Sequence, residues 1–531
     1  MKDNILMKFC FVFLLIEVLI SSCNEDILNE VPKSFFNPEV VLVNKAGFET
    51  AIAGIHVAVR DGYFQNEGTA NNFYAFHEGT DVNFTMDAAY QDYVSYLTPT
   101  FSAVPYIWDM VYQGILTRAN LVIDYAEKPT AQWTNEEEKN VIVAEARFFR
   151  AYGHNILANL YGGVPIADRF YTELKIDFVR ASREDVYKFV AEDLEFASKW
   201  LPETTNDGRI AKAAADHLLA EVYISLGRYD DAIRSASDVI DSDLYELMHE
   251  RFGSFEDLLG DVFSDLFKEK NQNRSSSGNT ETIWALQIEY NTPGGGRYRA
   301  TRYWNSQYYN IKDPDGLNAM LLCDSLGRPN GWTRGTPHVY HSVWTDRNDM
   351  RCSNHNFRWD FYNNNPESKY FGQKIDPNTY QGIDTMRTYY PTIRKLEGIF
   401  YDGASSPDIY VDQYAMRLAE TYLLRAEAYL LQGDKQKATD DINVVRNRAH
   451  AKPATASEID LDYILDERTR ELLVEEPRRL TLIRMNKLVD RVRKYHPYGG
   501  PTIQDFHAFW PIPQTAIDAN INAVLEQNPG Y

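Results

Sequence analysis

Apolar residues recur at steps of three and four along much of this chain. Val141, Ala144, Phe148, Tyr152, Ile156 and Leu160 form one such series, which predicts a helix that buries a single face. Gly162-Gly163-Val164-Pro165 closes it, because glycine and proline do not continue a helix. Ser182-Arg183-Glu184-Asp185 reads as an N-cap with acidic residues in the first turn. The next helix is expected from there to Trp200, ahead of Leu201-Pro202.

Residues 211–240 resemble a tetratricopeptide repeat. Ala220 and Tyr223 take the close-packing positions of the first helix, Gly227-Arg228-Tyr229-Asp230-Asp231-Ala232 makes the turn, and the small Ala232 lets the second helix approach. A second unit over 414–448 repeats the order with Ala426, Tyr429, Gly433-Asp434 and Ala438. Met416, Ala419, Leu423, Ala426 and Leu430 form its buried stripe. Such pairs stack because one pair cannot bury its own face. The long separation of the two units speaks against a simple solenoid.

Helical periodicity is lost over residues 251–410, where Gly, Asn, Pro, Arg and aromatics dominate. A short strand is expected at 282–288, and the aromatic content predicts ordered loops elsewhere. Helical patterning returns at 462–475 and 479–494, around Pro477, and a last short helix is expected between Pro513 and Leu525. The predicted fold is mainly α. Tetratricopeptide-like helical pairs over 46–250 and 411–531 flank a long loop-rich insertion with short strands over 251–410, in one domain.

The chain has 531 residues, 44% hydrophobic and 24% charged, which is ordinary for a globular protein. Its net charge of −22 excludes a general nucleic-acid binder, which carries the opposite sign. Residues 290–360 depart from this balance, with nine Lys/Arg against six Asp/Glu, or +3, leaving −25 for the remainder.

Residues 9–20 are apolar and run into Ser21-Ser22-Cys23, followed by Asn24-Glu25-Asp26. The run is shorter than the about 20 apolar residues a spanning helix takes, and it reads as a secretory signal. Asp3 and Glu17 are unusual in a leader, and a start at Met7 gives a cleaner one. The small residues before Cys23 resemble a bacterial lipobox. That implies a signal peptide over 1–22, acylation of Cys23 with anchoring in a membrane by that lipid, and a tether over 23–45. Cys323 and Cys352 then remain. Export permits a disulfide between them; two free thiols are the alternative.

Four segments resemble the SusD/RagB family of outer-membrane glycan-binding lipoproteins. They are the lipobox, Ala144–Tyr152 with Leu160-Tyr161-Gly162-Gly163-Val164-Pro165, residues 417–428, and the ending from Trp510-Pro511-Ile512-Pro513 to Asn528-Pro529-Gly530-Tyr531. The chain departs from the family at Glu476-Pro477-Arg478-Arg479, where an acidic-Gly-aromatic sequence is usual. The Glu and Arg residues there read as a structural ion-pair network. The resemblance implies a non-catalytic surface lipoprotein that captures oligosaccharide or polysaccharide over a SusC-like TonB-dependent transporter. Asn24-Glu25-Asp26 resembles the acidic signal for surface display.

No G-x-S-x-G elbow, HExxH motif or phosphate loop is present, and no enzyme activity, catalytic residue or cofactor is assigned. A glycosidase would need only a carboxylate pair, and nothing singles one out. His338, His341 and His355 are a weak metal-ligand pattern, so no metal site is assigned. Sugar binding asks for aromatic faces beside hydrogen-bonding groups. Two clusters have that character: Tyr90, Tyr93 and Tyr96, spaced three apart, and Arg302-Tyr303-Trp304, with Trp332 in reserve. These are the candidate ligand-binding residues. Trp344, Asp349 and Arg351 read as structural. The local arginines admit an acidic glycan, or are paired with local acids and aromatics. The competing functional readings are a protein-interaction scaffold and uptake of a non-glycan cargo.

Overall fold

In the computed structural model, residues 37–64, 72–85, 93–94 and 97–531 are described. The leader, Cys23, most of the tether, Tyr90 and Tyr96 lie outside them. Helices α1 (Lys45–Phe64), α2 (Thr117–Ala126) and α3 (Glu136–Tyr161) open the helical part. The Asn135 side chain accepts the Glu138 N–H at 2.8 Å, and three glutamates occupy the first turn of α3. Ala144, Phe148, Ile156 and Leu160 are buried along it. Helix α4 (Arg183–Trp200) starts after Ser182, whose hydroxyl accepts the Asp185 N–H.

Helices α5 (Lys212–Ser225) and α6 (Tyr229–Ile240) form the first pair, α7 (Leu418–Gln432) and α8 (Lys435–Arg448) the second. Both turns are built alike. Gly227 and Gly433 have φ of +72° and +99°, a region open to glycine without Cβ strain. The next residue then reaches back, Arg228 N–H to Tyr223 O at 2.8 Å and Asp434 N–H to Tyr429 O at 2.9 Å. Ala220, Ala232, Ala426 and Ala438 are fully buried between the helices.

The two pairs are neighbours in space. Helix α6 packs on α7, so the row α3 to α8 is continuous although the chain leaves it for the middle zone. Arg425 of α7 joins them, donating to Ser237 Oγ at 2.9 Å and to Asp441 of α8 at 2.8 Å. The exit and return are stitched by a sheet.

Strands β1 (Asn83–Thr85), β2 (Thr282–Leu286), β3 (Thr333–Gly335), β4 (Phe357–Arg358), β5 (Thr392–Ile393) and β6 (Gln413–Arg417) pair as β1–β3, β2–β6 and β4–β5, each antiparallel. Strand β2 carries Trp284 into the core against Phe148, Phe149 and Tyr152 of α3.

The final zone differs in detail from the expected pair of long helices. Helices α9 (Leu461–Leu472), α10 (Arg478–Arg484) and α11 (Leu488–Tyr495) replace them. Asn486 adopts φ +54° between α10 and α11, a conformation asparagine tolerates. The last helix is Gln514–Ala519 only; the Asn520 amide ends it by bonding the Phe178 N–H and O. The C-terminal segment folds back on α3: Trp510 N–H donates to Leu160 O at 2.7 Å and the Asn528 amide to Tyr161 O at 2.9 Å. Two of the segments that carry the family resemblance are therefore one contact. No helix among the described residues is long and apolar enough to cross a membrane.

Candidate functional site

Pairing of β1 with β3 sets Phe84 opposite Arg334 and Thr85 opposite Thr333, joining the early and middle regions of the chain. The turn before β3 is held on the short helix Ala300–Trp304: Asn330 N–H donates to Arg302 O at 2.7 Å, Gly331 N–H to Asn305 O and Trp332 N–H to Tyr303 O, both at 3.1 Å. Successive residues of a strand point to opposite faces, so Arg334 looks one way, with Phe84, and Thr333 the other; Trp332 stands just before the strand.

Just ahead of β3 lies a half-buried Trp332, its ring parallel to Tyr303 at 5.6 Å and 10°. Beside it, Arg334 donates to Thr385 O and lies 5.6 Å from the Phe84 ring and 4.8 Å from Tyr390. Phe84 in turn touches Tyr498, which is 43% exposed. Arg387 donates to Asn330 O at 3.2 Å, and Arg328 lies over Tyr309. Arg302, Arg328, Arg334 and Arg387 form no ion pair with a carboxylate among the described residues, in contrast to Arg297, Arg299, Arg351 and Arg358. The face is aromatic and basic.

The opposite face is a buried polar junction. Thr333 Oγ1 bonds Glu78 Oε2 at 2.6 Å and also Asn83. Burial pushes the Glu78 carboxyl up to about 8, against the Thr333 hydrogen bond and the Arg479 charge, which lower it. Glu78 is thus protonated in the folded chain at pH 7 and ionised in the unfolded one. A raised folded pKa gives stability that is full below the unfolded value and is lost as pH rises toward 8. Glu78→Gln is therefore expected to raise Tm relative to the parent chain at pH 7.5 and to change it little at pH 4; equal shifts at both pH values would refute the assignment.

Arginines of the departing segment hold this junction from below. Arg478 makes a two-pronged bond to Asp81 at 2.9 and 2.7 Å, shared by Arg491 at 2.8 Å. Arg479 donates to the carbonyls of Ala75, Glu78 and Tyr93. What the sequence reads as a structural network is the floor of the candidate site.

Three sequence candidates are buried. Tyr93 is 1% exposed, with its ring against Phe101 and Trp510. Tyr303 is 3% and Trp304 0% exposed; Tyr303 backs Trp332 and Trp304 lies edge-on to His77. Of the described candidates, Trp332 and Arg302 retain exposed surface. Tyr90 and Tyr96 fall outside the described residues. Sequence reasoning missed Arg328, Arg387 and Tyr498, which no local pattern ties to Trp332. His338 is bound to Asp466 at 2.9 Å and stacked on Tyr495. Cys323 and Cys352 are both free thiols.

The chain matches the profile described as "SusD family" over residues 262–531 and that described as "Starch-binding associating with outer membrane" over 32–224. It is 26% identical to the starch-binding protein SusD of Bacteroides thetaiotaomicron, covering 80% of this chain and 78% of that one. It is 24% identical to SusD-like protein P25 of Formosa agariphila over 98% of each. Among solved structures, a SusD homolog from Bacteroides thetaiotaomicron superposes with a TM-score of 0.72 at 19% identity, covering 93% and 98% of the two chains. Surface glycan-binding protein A of the same organism gives 0.69 at 21%, covering 92% and 100%. With the helical pairs, the paired β1–β3 loops and the folded-back C-terminus in place, this chain belongs to the SusD/RagB family.

Proposed function

We propose that the protein is a non-catalytic, surface-exposed lipoprotein, anchored through Cys23, that captures oligosaccharide on the Trp332 face and delivers it to a TonB-dependent outer-membrane transporter. The observation that carries the binding role is a half-buried Trp332 braced by Tyr303, two residues before Arg334, which forms no ion pair with a carboxylate among the described residues. Sugar C–H faces stack on such a ring, and guanidinium groups bond the hydroxyl or acidic substituents. The names of relatives that bind starch, laminarin or surface glycans support the same reading. The continuous helical row offers the surface on which a transporter would rest.

The test is affinity electrophoresis and calorimetry of residues 24–531 against neutral and acidic polysaccharides, with product analysis. Retardation without product release is expected. Absence of binding to every member would move the reading to a protein-interaction scaffold or another cargo. Charge adds a second expectation. Arg302→Ala with Arg328→Ala lowers affinity for a uronic-acid or sulfated glycan about 100-fold or more if both bond it, since charge-assisted bonds contribute about 1.5–3 kcal/mol each, and affects a neutral glycan less. Equal losses on both would show that the arginines do not select charge.

A further inference from the structure

Strand β2 runs out through Gln287 to Tyr290, and the loop leading to β6 carries Tyr401 and Tyr410. Tyr290 and Tyr401 stack with centroids 4.8 Å apart and planes at 18°, and Tyr410 meets Tyr290 edge-on, also at 4.8 Å. Their hydroxyls are committed. Tyr290 donates to Asp402 Oδ1 at 2.9 Å, Tyr410 to Asp402 Oδ2 at 3.0 Å and Tyr401 to Glu269 Oε1 at 2.5 Å. The bond to Glu269, followed by burial, pushes the Tyr401 phenol up to about 12, so it stays a donor. The rings are held in place, yet Tyr290 and Tyr401 are 40% and 43% exposed.

These three rings border a cleft of about 420 Å³ whose other lining includes Asn273, Gln287 and Asp412. Asn273 and Gln287 exchange two amide hydrogen bonds at 3.0 Å. Asp412 accepts from the Asn273 amide at 2.7 Å and from the Ile288 N–H at 2.6 Å. None of these groups belongs to the Trp332 face.

We propose that this cleft is a second saccharide site, taking a neutral pyranose ring of the captured glycan. The proposal rests on the glycan-binding reading but on separate residues. Large exposed rings with fixed hydroxyls leave their apolar surface for a partner, which here also meets a polar lining of amides and carboxylates held in place by their own bonds; a sugar ring presents both an apolar C–H face and hydroxyls. The charge of the lining decides the class. Glu269, Glu289 and Asp412 face a single basic residue, Lys270, so the cleft repels the carboxylates and sulfates that the arginine face attracts. A glycan with acidic groups spaced along a neutral backbone would engage both sites. The second contact then forms at the effective concentration set by the chain between them, which raises avidity without tight binding at either.

The test compares four proteins in gels cast with starch, laminarin, galactomannan or xylan: the parent chain, Trp332→Ala, Tyr290→Ala with Tyr401→Ala, and all three changes together. Tyr401→Phe with intact Tyr290 is a fifth, since it keeps the ring and loses only the bond to Glu269. The expected result is residual retardation of Trp332→Ala in at least one gel, lost in the triple variant, with Tyr401→Phe close to parent and Tm of the tyrosine pair near that of the parent. Identical mobility with and without the tyrosine pair in every gel overturns the second site. The Trp332 reading fails on a different pattern, in which Trp332→Ala matches the parent throughout.

Discussion

Glu471→Ala is expected to destabilise the chain by about 3–5 kcal/mol, the cost of removing one partner from a buried charge cluster. Glu471 is fully buried on α9 and receives Arg351 Nη1 at 2.9 Å, Arg417 Nη1 at 2.5 Å and Arg448. Lys395 also donates to its backbone oxygen at 2.6 Å. Burial alone would raise its carboxyl pKa, but Arg448, Arg417, Arg351 and Lys395 overcome that and hold it well below the usual range. Removing the carboxylate leaves three buried guanidiniums to share Glu281, Glu467, Glu475 and Asp349. The measurement is the urea midpoint of the variant beside Lys139→Ala. That control breaks an exposed pair with Glu127 and Glu136 and is expected to cost at most about 1 kcal/mol. Indistinguishable midpoints for the two variants would sink the argument.

Glu467 of this cluster and Glu420, paired with Arg468, set the acid limit. Burial raises the Glu467 and Glu420 carboxyls, but arginines (Arg470, Arg351 and Arg446 for the first; Arg468, with His217, for the second) bring each down to about 2. A depressed folded pKa contributes stability above the unfolded value, about 4.3 for Glu, and that contribution is lost as pH falls through the folded value. Acid unfolding driven by these groups therefore falls between about pH 4 and pH 2.

Trp332→Ala is expected to weaken glycan binding about 30-fold, or about 2 kcal/mol, the loss typical when a central aromatic anchor is truncated. The ring is half-buried and parallel to Tyr303, so its place is set before ligand arrives and little ordering entropy is lost on binding. Trp332→Phe should recover part of the affinity because a planar face remains. Tyr303→Ala should behave differently, lowering Tm as well as affinity, because it leaves a cavity under Trp332. Calorimetry with the best glycan of the panel and a melting curve for each variant separate the two effects. Unchanged affinity in Trp332→Ala would remove this face from the binding role.

Much of the helical scaffold was legible from local chemistry. The start of α4 follows from Ser182 and its acidic first turn, and its end from Leu201-Pro202. The two glycine turns at Gly227 and Gly433 are readable because a left-handed residue leaves a mark in the sequence. The strand at Thr282–Leu286 was expected two residues longer. The site was less legible. Tyr93, Tyr303 and Trp304 look like Trp332 in composition, and only their neighbours distinguish them. Those neighbours, Trp510, His77 and Phe101 among them, come from distant parts of the chain or from another element.

The sequence by itself determined helix faces, caps, the tetratricopeptide-like turns and the family, because each rests on residues a few positions apart or on segments recognisable alone. Tertiary structure decided that α6 meets α7 across the middle zone, that β1 pairs with β3, and that Arg478 reaches Asp81. Those contacts join residues some hundreds of positions apart. Burial of a ring or pairing of a charge depends on what the rest of the chain brings to it, and periodicity carries no record of that.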